Sequence, residues 1–177
     1  MKRITKSRVT STLALFSTLM FTLPVFSQAA CESEQYRQFD FWLGEWTVTT
    51  PNGNLAGHNT ITKGHGGCTI DESYSTPRGF NGKSFNIYDR QNGQWHQTWV
   101  DNTGQLLKLD GQFTNGSMVL AGPGKLPSGE TITHRITWTP NSDGTVRQHW
   151  ETSKDNGASW ATAFDGLYTK KNPTPKE

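Results

Sequence analysis

GKSFNIYDRQNGQWHQTWVDNTGQLLKLDGQFTNG, residues 82–116, decides the fold. It reads as runs of β-branched and aromatic residues about five to ten long, each closed by a turn signal: Asp89-Arg90-Gln91-Asn92-Gly93, Asp101-Asn102-Thr103-Gly104 and Thr114-Asn115-Gly116. Connections this short leave no room for a crossover, so neighbouring strands are antiparallel and pair in sequence order. The same punctuation recurs outside the stretch at Pro51-Asn52-Gly53, Asn141-Ser142-Asp143-Gly144 and Asp155-Asn156-Gly157. About ten strands result, over 45–50, 54–63, 67–75, 82–88, 93–100, 105–111, 117–122, 130–138, 145–152 and 159–169. A meander of that many strands in under 150 residues has exposed edges unless it closes. The expected fold is therefore all-β, an antiparallel up-and-down barrel. A sandwich would need long crossover connections, and the text offers none.

Before the strands, Ser33 to Leu43 reads as a short N-terminal helix, with Tyr36, Phe39 and Leu43 on one face and Ser33 able to cap it. After them, residues 172–177 are polar and carry two Pro, and read as a frayed tail. The barrel domain is thus expected over 30–171. At 177 residues in all, a second core would be marginal, so one domain is the reading.

Residues 1–29 read as a secretory signal peptide: a basic start, an apolar run from about Val9 to Phe26, then Ser27 and Ala29 as small residues before a cleavage point. Ser and Thr residues and Pro24 interrupt that run, which argues against a spanning anchor. Lys2, Arg3, Lys6 and Arg8 belong to the leader, and removing these four of the 17 bases leaves 13 against 15 acids. The remainder is slightly acidic, so no nucleic acid or anionic membrane is expected as a partner. The expected location is periplasmic or secreted, where disulfides persist. Cys31 and Cys68 are the only cysteines and are expected to pair. A rival reading makes Cys31 the lipid-modified first residue of a membrane-anchored lipoprotein, because Ala29-Ala30-Cys31 is suitable local chemistry. Gln28 suits that reading poorly. Two Cys without histidines at ligand spacing do not make a zinc site, and no metal or cofactor is expected.

Strand side chains alternate faces, and the aromatic face of three strands carries one polar residue at its middle. These faces are Ile70, Glu72 and Tyr74; Trp95, Gln97 and Trp99; and Val146, Gln148 and Trp150. A carboxylate and two amides among bulky apolar groups either satisfy one another in a filled barrel or line a cavity and await a ligand. Two strands leave their inward face open. Strand 82–88 offers Phe85 and Ile87, or Ser84, Asn86 and Tyr88; strand 130–138 offers Ile132, His134, Ile136 and Trp138, or a face with Arg135. Arg135 is the natural ion-pair partner for a buried Glu72. The candidate ligand-binding set is therefore Glu72, Asn86, Trp95, Gln97, Trp99, Arg135, Gln148 and Trp150.

No phosphate loop, GxSxG elbow or HExxH is present, and no two of the five histidines stand at i, i+2, so no catalytic residue is assigned. Ser153-Lys154-Asp155-Asn156-Gly157-Ala158-Ser159-Trp160 fits a single SxDxGxxW box and reads as a hairpin held by its Asp and Ser and covered by its Trp. The leading expectation is an exported protein that binds a small, partly apolar molecule inside the barrel. The alternatives are an enzyme with Glu72 as general acid or base, and a structural module with a filled barrel.

Gly44-Glu45-Trp46 resembles the GxW that opens lipocalins and other calycins. The longer text Phe39-Asp40-Phe41-Trp42-Leu43-Gly44-Glu45-Trp46, with Gly67-Cys68, Ser84-Phe85-Asn86-Ile87-Tyr88-Asp89, Trp95-His96-Gln97-Thr98-Trp99-Val100-Asp101 and Phe164-Asp165-Gly166-Leu167-Tyr168, resembles a family of exported bacterial proteins of unknown function. The resemblance implies a lipocalin-like barrel of ten strands, similar to nitrobindin, and brings no activity with it. Nitrobindin-like proteins bind haem through a histidine near the C-terminal end of the barrel. Here no His follows His149, so that ligand is not carried over.

Overall fold

The computed structural model describes residues 31–171. The signal-peptide reading of 1–29 and the frayed-tail reading of 172–177 lie outside the described residues. Ten strands follow one another: β1 (Gly44–Thr49), β2 (Leu55–Gly64), β3 (Thr69–Ser75), β4 (Asn81–Asp89), β5 (Gln94–Asp101), β6 (Leu106–Thr114), β7 (Ser117–Lys125), β8 (Thr131–Pro140), β9 (Val146–Ser153) and β10 (Ala161–Lys170). Each pairs antiparallel with the next, and β1 closes on β10 with Trp46 opposite Lys170 and Val48 opposite Tyr168. This is the closed up-and-down barrel expected from the turns. The shortest of them, Asn115-Gly116, has both residues at positive φ (50° and 77°), as a two-residue hairpin requires.

The short helix expected before the strands is present, in 3-10 form. It forms two 3-10 turns, Glu34–Arg37 and Asp40–Trp42, and Ser33 makes no side-chain cap. Three residues per turn places i and i+3 on one face, so Phe39 and Trp42 stack with ring centroids 4.9 Å apart. Phe39 and Trp42 are both fully buried in one end of the barrel. Phe39 meets Trp95 and Trp138 edge-on at 5.7 and 5.3 Å, and Trp46 Nε1 donates to the Trp42 carbonyl at 2.8 Å.

This plug is tied down at its base. Cys31 and Cys68 form a disulfide, and Arg37 donates through Nη2 to the carbonyls of Cys31 and Gly67, both at 2.8 Å. Lys63 on β2 pairs with Asp40 at 2.7 Å. A sulfur in a disulfide has no thiol left for a lipid thioether, so the paired state and the lipid-anchored state of Cys31 exclude each other.

Candidate functional site

The end of the barrel opposite the plug is hollow. A cavity of about 330 Å³ is bounded by Glu72, Gln97 and Gln148 at its polar side and by Trp99, Trp150 and other rings, with Thr76, Asp101 and Gln105 at the mouth. Two glycines help keep it hollow. A Cβ at Gly82 on β4 would collide with the Trp99 ring of β5, and a Cβ at Gly57 on β2 would collide with the Tyr74 ring of β3. Each ring lies flat across its neighbouring strand because that strand has no side chain there. The rings become walls and leave the lumen free.

Beside the cavity runs a hydrogen-bonded belt contributed by six strands. Asn59 on β2 donates through Nδ2 to Glu72 Oε1 (2.7 Å) and to the Tyr168 hydroxyl (3.3 Å), which itself donates to Gln148 Oε1. On the other side Ser84 donates to Glu72 Oε2 at 2.6 Å, Asn86 donates to Ser84 Oγ at 2.9 Å, and Gln97 donates to Asn86 Oδ1 at 2.8 Å. Asn86 also donates to the Ile70 carbonyl at 2.9 Å. Leu109, Leu120 and Ile136 complete the interior on β6, β7 and β8, which contribute no member to the belt.

Glu72 is the focus of this belt. It is only 6 % exposed and accepts two hydrogen bonds. Burial pushes its carboxyl up to about 7, with the bonds from Ser84 and Asn59 acting the other way. Burial and the nearby Glu72 charge also push the Tyr74 and Tyr168 hydroxyls up, so both stay neutral donors and acceptors. The amide valences show what is left for a ligand. Gln97 uses its nitrogen on Asn86 and, at 3.5 Å, on Ser84, which leaves its carbonyl oxygen; Gln148 uses its oxygen on Tyr168, which leaves its amide nitrogen.

Of the eight residues the sequence points to, five line the cavity: Glu72, Gln97, Trp99, Gln148 and Trp150. Asn86 lies in the belt behind them, on the inner face of β4 that also carries Ser84, while Phe85 and Ile87 are 55 % and 36 % exposed. Trp95 is inside the barrel but belongs to the plugged end, against Phe39 and Tyr88. Arg135 requires a correction. It points out of the barrel, bonded to Glu151 through Nε (3.1 Å) and Nη2 (2.9 Å), with its guanidinium 3.8 Å from the centre of the Trp160 ring. Its strand turns Ile132, His134, Ile136 and Trp138 inward, so the apolar face wins and Glu72 gains no cation.

Asn59, Tyr168, Tyr74, Phe80 and Phe164 were not in that set. The first two are inner-face residues of strands the sequence does delimit, and Asn59 sits between Gly57 and Ile61 on an alternating face. Phe80 lies in the β3–β4 turn, where alternation carries no information.

His134 is buried behind Trp150, whose indole donates to its Nδ1 at 3.0 Å; burial lowers its pKa, which favours the neutral ring. His96 bridges Asp110 and Thr98 on the outer face, both at 2.7 Å. Among the described residues, no group of three or more His, Cys, Asp or Glu is placed to hold a metal ion, and no helix is long and apolar enough to cross a membrane. The loop after β9 is built as expected: Asp155 accepts from Ser153 and Ser159, and Trp160 folds back to donate to the Gly157 carbonyl at 3.0 Å.

The closed antiparallel barrel is the architecture that the calycin resemblance implies. Comparison with protein-family models finds no match, and comparison with curated proteins finds none.

Proposed function

We propose that this is an exported binding protein that holds a small, partly apolar molecule in the open half of its barrel. One observation carries the reading: a cavity of about 330 Å³ whose walls are rings and whose polar side presents Glu72, Gln97 and Gln148. Apolar walls with a few convergent polar groups are the usual composition of a ligand site, and this volume is at the small end of the range. It suits a ligand of about 10 to 20 non-hydrogen atoms. The disulfide supports export, since such bonds persist outside the cytosol.

Native mass spectrometry of the protein purified from the cells that make it tests this reading. Extra mass that is lost on denaturation, and absent from a Gly82→Val protein with the lumen occupied by Trp99, is the expected result. The same spectrum for both proteins, with no fragment from a small-molecule library retained by either, overturns it.

A second reading, catalysis, has one observation in its favour: a cavity carboxyl at about 7 is placed where a general acid or base works best. It predicts chemical conversion of the retained molecule, abolished in Glu72→Gln while retention persists.

A further inference from the structure

Among the described residues, Glu72 is a buried carboxylate without a counter-ion. Its partners Asn59 and Ser84 are neutral, and the cation best matched to it by sequence, Arg135, is outside with Glu151. Among the described residues, the cavity lining includes two carboxylates, Glu72 and Asp101, and no Lys, Arg or His. It also includes Tyr74, Phe80, Trp99, Trp150, Phe164 and Tyr168, and ring faces attract positive charge through their quadrupole. Gln97 adds a carbonyl oxygen as a further acceptor, its amide nitrogen being engaged with Asn86 and Ser84. An anionic ligand would meet like charge in a low-dielectric site. A neutral one would leave only a proton to neutralise the buried carboxyl. A ligand that brings its own positive charge supplies what the interior lacks.

Resting on the binding reading above, we propose that the ligand is a small organic cation: an amine with an aromatic or aliphatic body, its head paired with Glu72 and its body against the rings. The belt is arranged for this exchange. Asn59 and Ser84 keep the carboxylate in place whether or not a ligand is present. Binding should strengthen as Glu72 ionises on going from acid to mildly alkaline pH. The titratable groups that face it are Tyr74 and Tyr168, both pushed upwards, while its neighbours Asn59, Ser84, Gln97 and Gln148 are neutral. Asp101 is at the mouth, where Trp99 Nε1 donates to it at 3.0 Å; desolvation raises its carboxyl, but the hydrogen bonds from Thr103, Trp99 and Gln105 together outweigh it and hold the carboxyl below the ordinary range. It therefore remains charged over the same interval.

Calorimetric titration with three probes of one shape tests the proposal: 2-phenylethylammonium, 2-phenylethanol and 3-phenylpropionate, against wild type and Glu72→Gln. Wild type should bind the ammonium at least tenfold more tightly than either of the others, and more tightly at pH 8 than at pH 5.5. In Glu72→Gln that preference should fall at least tenfold, with the affinity for 2-phenylethanol changed less than twofold, which also shows that the cavity has survived the substitution. Equal or tighter binding of the alcohol or the carboxylate by wild type overturns the cation proposal and leaves the binding reading standing. An ammonium affinity unchanged in Glu72→Gln overturns it equally. If neither protein binds any of the three, the cation proposal falls, and the binding reading is decided by the native mass spectrum and fragment library.

Discussion

Ser84 and Glu72 face one another across β4 and β3, and the serine hydroxyl donates to the carboxylate at 2.6 Å. With Asn59 on the opposite oxygen, the contact fixes the orientation of a carboxyl that burial brings to about 7. Glu72 can thus change charge near neutrality without a change of place.

That titration has a consequence for stability. The folded value of about 7 lies above the ordinary 4.5, so the folded state holds the proton more tightly than the unfolded chain. The resulting stabilisation is complete below about 4.5 and is lost as the pH rises through 7, a total of about 3 kcal/mol. Glu72→Gln is neutral throughout and lacks this loss. Denaturant unfolding should show the variant gaining on wild type by that amount between pH 4.5 and 8.5; parallel curves would contradict the assignment.

Gly82→Val places a branched side chain where the Trp99 ring lies. The ring must swing into the lumen or the strands must separate, at a cost of about 1 to 3 kcal/mol. Ligand binding should be lost while the far-ultraviolet circular dichroism of the barrel is kept. Binding retained at wild-type affinity would mean that the Trp99 wall does not shape the cavity.

Breaking the disulfide acts at the other end. Cys68→Ser opens a link between residues 37 apart, and the chain-entropy account sets the loss at about 3 to 4 kcal/mol. Arg37 still reaches the carbonyls of residue 31 and Gly67, so the measured loss in denaturant unfolding should fall at or below that range. Ligand affinity should be unchanged, because the disulfide anchors the plug and not the cavity.

Arg135→Ala separates the outer face from the inner one. It removes the pair with Glu151 and the stack on Trp160, both partly exposed, and should lower stability by about 1 kcal/mol. Affinity for any cavity ligand should stay within twofold of wild type.

Much of this was legible from turns and alternation. The six Gly- and Asn-bearing turns mark six of the nine connections between strands, the rest following from the spacing of the β-branched and aromatic runs, and closure follows from the edges an open meander would leave. The inner faces of β3, β5 and β9 follow from aromatic alternation around Glu72, Gln97 and Gln148. β4 was not legible, because alternation shows that Ser84 and Phe85 face opposite ways but not which one is inside. Cross-strand bonding decides it: Ser84 and Asn86 fall between Glu72 and Gln97, and only an inward polar face connects them. Arg135 misled because charge complementarity ignores register. Glu151 stands directly opposite it on β9 and is the nearer acid. The short N-terminal helix was legible, but its 3-10 form was not, because the three-residue spacing of Phe39 and Trp42 is compatible with both 3-10 and α geometry in sequence.

The chain has seven Trp, distributed between the two ends of the barrel and its outer surface. Indole N–H signals in a nitrogen-15 NMR spectrum therefore report where a small molecule binds. On titration with 2-phenylethylammonium and a fragment library, the account predicts that ligands move the Trp99 and Trp150 signals and leave Trp42 and Trp138 of the plugged end in place. Ligands that move only the plugged-end signals, or a library that moves neither Trp99 nor Trp150, would contradict a binding site in the open half of the barrel.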